Sequence, residues 1–130
     1  MTAIASRSTK LSQVLAFEEL ADKGYCRETA TVTVAAGMDI GAALVLSGGK
    51  YVWINQAATA DLSAGVAVLV DHYAGVPALA AGDHELAVLV RGPAGVTPAS
   101  LTYSGAVDAD GKAAVVAQLE VQGIVARTQV

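Results

Sequence analysis

Thr29-Ala30-Thr31-Val32-Thr33-Val34 is the stretch that decides the fold class. Threonines occupy every odd position and apolar residues every even one. That is the two-residue period of a β-strand with one face buried and one face wet, written in β-branched residues that favour the pleat. Downstream, Ala36-Gly37-Met38-Asp39 reads as a turn. Residues 42–46 and 51–54 are then two short apolar runs separated by Ser47-Gly48-Gly49-Lys50. A Gly-Gly centre between two such runs predicts a hairpin. Residues 66–70 and 86–91 are nearly continuous apolar runs, which predicts strands buried on both faces or paired across subunits.

These two runs repeat one another. Ala67-Val68-Leu69-Val70 is followed after three residues by Ala74-Gly75-Val76, and Ala87-Val88-Leu89-Val90 after three residues by Ala94-Gly95-Val96. Two copies are too few for a solenoid. They read as two similar strand-plus-turn units in one small barrel. Toward the C-terminus, Thr97-Pro98-Ala99-Ser100 predicts a short helical turn with proline at its first position. Residues 112–121 predict a helix with Ala113, Val116 and Ala117 on one face together with Glu120, and Gly123 suits its C-terminal cap. Residues 124–130 predict a last strand.

Upstream of residue 25 the character differs. Residues 1–8 are small and polar and read as a flexible terminus. Between 10 and 20, Leu11, Val14, Leu15 and Phe17 are mixed with polar residues; the 11, 14, 15 spacing is helix-like, but the stretch is too short for a lone helix. It reads as an arm that gains structure by docking. Asp22-Lys23-Gly24 closes it with a turn.

The chain has 130 residues, enough for one domain. Hydrophobic residues make up 54% but aromatics only 5%, so the core is built largely from Ala and Val. Such a core gains less per residue than one of Leu and Phe, and a subunit interface is expected to supply part of the stability. Charged residues are 15%, against about 25% in an average domain, which suits a surface largely covered by contacts. The net charge of −4 with scattered Lys and Arg argues against nucleic-acid binding. No apolar run is long enough to span a bilayer, and the N-terminus lacks a signal-peptide core. A soluble protein made in the cytoplasm and not secreted by this route is expected.

Chemistry finds little to hold. Cys26 is the one cysteine, so it has no internal disulfide partner and reads as a buried apolar residue. Asp71-His72 and Asp83-His84-Glu85 could hold a metal or a proton, but they sit in turn-like segments and read as solvated. Ser47-Gly48-Gly49-Lys50 lacks the spacing of a phosphate loop, as does Gly105 to Lys112. Asp108-Ala109-Asp110-Gly111 lacks the closing ligands of a calcium loop and reads as a helix cap. No catalytic constellation, cofactor site or metal site is expected, and an enzyme is the weakest reading.

Several segments in order carry a resemblance. They are Leu15-x-x-Glu18 leading into Tyr25-Cys26-Arg27-Glu28-Thr29-Ala30-Thr31-Val32; the hairpin from Gly41 to Tyr51; Ala64-Gly65-Val66-Ala67-Val68-Leu69; Val88-Leu89-Val90-Arg91-Gly92-Pro93-Ala94; Leu101; and Ala117-Gln118-Leu119-Glu120-x-x-Gly123-Ile124-Val125. From about Leu11 onward the chain resembles the head decoration, or capsid cement, proteins of lambda-like tailed bacteriophages. The resemblance implies a mainly β (α+β) fold, a small barrel or sandwich-like domain (25–130) with one short helix near its C-terminus and a flexible N-terminal capsid-docking arm (1–24). It implies a homotrimer on the outer surface of the expanded head, at threefold and quasi-threefold sites, holding the shell against DNA pressure. The major capsid protein would be the partner, with no membrane and no nucleic acid. Lys10, Leu11, Val14, Leu15, Phe17, Glu18, Tyr25, Arg27 and Glu28 are the expected capsid-binding residues. The alternative is another virion surface or tail component that binds a host receptor. Trp53 is expected in the core or between subunits rather than at a receptor.

Overall fold

The computed structural model describes residues 14–18, 26–71 and 75–126. The elements that fall within the described residues are, in order, β1 (Leu15–Glu18), β2 (Arg27–Val34), β3 (Ala43–Ser47), β4 (Lys50–Trp53), β5 (Val66–Leu69), β6 (Gly82–Leu89), β7 (Ala94–Val96), α1 (Ala109–Val121) and β8 (Ile124–Ala126). Five of them close a barrel in the order β2-β4-β3-β5-β6, and β1, β7 and β8 form a separate three-stranded sheet in the order β1-β7-β8.

The threonine strand is the spine of the barrel. β2 runs antiparallel to β6 over its whole length, from Arg27↔Leu89 to Val34↔Gly82, and meets β4 in parallel at Val32↔Tyr51. Its even-numbered apolar positions point inward, where Val32 and Val34 join Leu44, Ala67, Leu69, Leu86 and Val88 in one buried cluster. Its threonines point out, and Thr33 donates to Asp83 Oδ1 at 2.8 Å while Thr31 donates to Glu85. The sequence 83–85 is therefore strand, not turn. Strand β6 starts at Gly82, because each carboxylate on its outer face finds a threonine across the ladder. The β3–β4 hairpin turns on Gly48 (φ 59) and Gly49 (φ 81) between the paired Ser47 and Lys50, a two-residue turn that needs left-handed backbone at both central positions.

A second core lies outside the barrel. The opposite faces of β3, β5 and β6 offer Ala43, Val45, Val66, Val68 and Leu89 to Val14, Ala94, Val96, Val115, Leu119 and Ile124, which the small sheet and α1 supply. β5 is thus buried on both faces, at every one of its positions, as its unbroken apolar run implies. The repeated segments part company here. Their strands are neighbours in the barrel, pairing Val68↔Leu89 and Leu69↔Val88. Of the two Ala-Gly-Val ends, Gly75-Val76 opens a 3-10 turn (Val76–Ala78), whereas Ala94–Val96 is the central strand of the second sheet.

The helix begins three residues ahead of its expected start. Asp108 is its N-cap, accepting from Gly111 N at 2.7 Å, and Gly123 (φ 88) follows its end in the left-handed region. Gln122 at that end takes the place of a strand residue. Its side-chain oxygen accepts from Val66 N at 2.9 Å, and its amide nitrogen donates to Val66 O and to Val90 O, both at 2.8 Å. The β5–β6 ladder is short, and this one amide satisfies the backbone groups where the two strands part. Gly92 and Gly123 touch backbone to backbone there, and a Cβ at Gly92 would overlap the Gly123 carbonyl.

Candidate functional site

The residues expected to dock on a shell fall into three groups. Val14 and Leu15 belong to the body. Val14 is fully buried in the outer core, and its carbonyl accepts from Thr97 N at 2.8 Å. Its side chain lies against Gly41 (φ 94), where a Cβ would come within 3.1 Å of Val14 Cγ2 and 2.7 Å of Ser100 O. Leu15 packs half-buried on the same cluster and pairs with Val96. A fully buried Val14 cannot touch a partner in this conformation. Its part is to anchor the chain: Val14 is helical and leads directly into β1, which pairs with β7, while Leu11 lies outside the described residues. Phe17 and Glu18 continue β1 by pairing with Gly95 and Ala94. The boundary drawn at residue 24 therefore falls beyond a strand that is integrated in the body's sheet.

Arg27 and Glu28 open β2. Glu28 is exposed and accepts from Arg91 Nη2 at 2.9 Å. Both side chains are largely solvated, so the pair contributes little to stability. Lys10, Leu11 and Tyr25 lie outside the described residues.

The candidate chemical groups do not converge. Along β6 the side chains of Asp83, His84 and Glu85 alternate: the carboxylates face out to the threonines, while His84 Nε2 turns the other way, 2.8 Å from Ala80 O. Lys50 pairs with Asp83, and the hydrogen bonds from Lys50 and Thr33 hold the Asp83 carboxyl below the usual carboxylate range. His72 lies outside the described residues. Among the described residues no three of His, Cys, Asp and Glu come together as a metal site. Cys26 is buried and its thiol donates to Pro93 O at 3.4 Å. A cleft of about 280 Å³ beside Met38, Val76, Pro77 and Leu79 offers, among the described residues, no polar side chain to orient a substrate. Among the described residues no helix is long and apolar enough to cross a membrane.

One surface stands out that the motif reading passed over. Between Arg91 and Asp108 the chain carries no charged residue, yet Ala99, Thr102, Gly105 and Ala106 are exposed. Leu101 is buried and pins this strap to the body. Trp53 Nε1 donates to Thr102 O at 3.0 Å, and Ser104 N donates to Ile54 O at 2.8 Å. Trp53 is half-buried against the barrel core. Tyr103 is half-buried, which pushes its phenol above the ordinary range, and the Lys112 ammonium lies 5.8 Å from its ring centroid.

Comparison with known families decides what this body is. The model of the bacteriophage lambda head decoration protein D family matches residues 5–124. The chain belongs to the bacteriophage head decoration protein family. The match begins upstream of β1 and ends at the first residue of β8, so it takes in the barrel, the helix and part of the N-terminal segment together. No curated protein and no solved structure matches the chain. A head decoration protein is a structural component of a phage head.

Proposed function

We propose that this protein is a non-enzymatic cement of the phage head. It binds the outer surface of the expanded shell as a homotrimer at threefold and quasi-threefold sites and holds neighbouring capsid subunits together against the pressure of packaged DNA. The observation that carries the reading is the family match across residues 5–124.

The docking element in this reading is residues 1–13, Lys10 and Leu11 among them. β1 is an edge strand of its sheet, so the chain upstream leaves from an edge, where a segment can extend and add a strand to the capsid protein. Phe17, Glu18, Tyr25, Arg27 and Glu28 serve as flanking contacts, and Val14 and Leu15 hold the root. Self-association is favoured by the low charge and by the outer face of α1, which leaves Ala113, Ala117 and Val121 exposed. Three arms on one rigid trimer bind far more tightly than one, because the second and third attachments are intramolecular.

Co-sedimentation with undecorated expanded heads of the parent phage, against unexpanded procapsids, tests the reading. Binding confined to expanded heads and saturating at three copies per threefold site is the expected result. No binding to either form overturns it and brings forward a host-receptor role elsewhere on the virion.

A further inference from the structure

We infer that the uncharged strap of residues 97–106 is the surface of the body that lies against the phage shell, next to the root of the arm. The inference rests on the shell-binding reading above and adds the face by which the body is seated.

Two independent observations meet at this strap. The first is where the undescribed N-terminal chain joins the body. Residues 1–13 run into Val14, whose carbonyl accepts from Thr97 N at 2.8 Å and whose side chain packs beside Gly41 and Ser100. An arm that engages the shell therefore draws the Thr97–Ser100 corner toward it. Thirteen extended residues reach roughly 43 Å, but the residues closest to the root must stay close to this corner.

The second observation is the chemistry of the strap. Cores of protein contacts are depleted of charge, because each buried charge without a partner costs more than the contact returns. The strap is exposed at Ala99, Thr102, Gly105 and Ala106 and has no charged side chain of its own. Lys112, over the Tyr103 ring, borders it. Charge lies on other elements, on Lys50 at the start of β4, Asp83 and Glu85 on β6, and Asp108, Asp110 and Glu120 at the helix. The exposed stretch 75–82 is uncharged as well, so it is the contact with Val14 that singles out the strap. The strap is also rigid enough to act as a seat. It is pinned by buried Leu101, by the Ala42↔Thr102 bridge and by the Trp53 and Ser104 hydrogen bonds, so little ordering entropy is lost on contact. Its partner is a capsid-protein surface that is itself uncharged at this point and presents polar and small apolar groups.

The test introduces a carboxylate into the strap with the arm left intact. Ala99→Glu and Ala106→Glu replace exposed side chains, and Thr29→Glu adds the same charge at an exposed site on β2. Each full-length variant is titrated onto expanded heads, with its fold checked by thermal melting. The expected result is that both strap variants melt like the unaltered protein and bind about tenfold more weakly or worse, as for an unpaired charge forced into a contact, while Thr29→Glu binds normally. Normal binding by Ala99→Glu and Ala106→Glu overturns the inference and leaves the arm reading intact. Equal loss in Thr29→Glu overturns it too, because the effect is then one of overall charge. Failure of the unaltered protein to bind overturns the shell-binding reading itself.

Discussion

The two cores of this protein are made from similar side chains but by different routes. The barrel interior joins residues that alternate along their own strands, Val32 and Val34, Leu44, Ala67 and Leu69, Leu86 and Val88, although β2 closes on the distant β6. The outer core joins pieces from the whole length of the chain, from Val14 through Val68 to Leu119 and Ile124. The first is a matter of local period. The second depends on long-range assembly, and it is the one that ties the N-terminal segment to the body. The difference teaches that the barrel strands declare themselves one by one, while β1, into which the proposed arm leads, is held by the layer added to the barrel.

The largest expected effect comes from opening the outer core. Leu119 is fully buried there, so Leu119→Ala should cost about 2–5 kcal/mol. Amide exchange should show β1 and β7 losing protection together with the helix. If β1 keeps its protection in that variant, the outer layer is not one unit and the comparison fails. Gln122→Ala should cost about 1–3 kcal/mol, because it leaves the Val66 and Val90 backbone groups without their amide partner. Gln122→Glu recovers at most the acceptor half of that role. Denaturant melts of the two variants measure both effects. Asp108→Ala removes the helix cap and should cost about 1 kcal/mol.

The smallest effect is a pH dependence on the barrel side. The Asp83 carboxyl is held below its ordinary value by Lys50 and Thr33. A depressed carboxyl contributes stability that is present above its unfolded value, about 4, and is lost as pH falls through the lower folded value. Asp83→Asn should therefore flatten the acid limb of the stability profile by lowering stability slightly at neutral pH while leaving it unchanged at low pH. An unaltered acid limb would show that this exposed ladder contributes nothing.

The strands of the barrel were legible because each carries its own evidence. Thr29 to Val34 alternates, Gly48-Gly49 demands a hairpin, and the 66–69 run has no polar face to spare. The extent of β6 was not legible, since Asp83-His84-Glu85 looks like a loop until Thr31 and Thr33 are placed across from it. The root of the arm was hidden for a similar reason: nothing local in Val14-Leu15 tells that β7 and Gly41 await them. Gln122 gave no signal, because an amide standing in for a strand backbone requires knowing which strands part beside it. The strap at 97–106 announced itself only as an absence of charge, and that acquires meaning once Val14 is seen beside it.

The most direct test of the account is to remove residues 1–13 and keep Val14. The truncated protein should melt at the temperature of the full chain, because Val14 and β1 remain in place, and it should no longer sediment with expanded heads. A truncated protein that still decorates heads at full occupancy would contradict the account, since the docking element would then lie in the body.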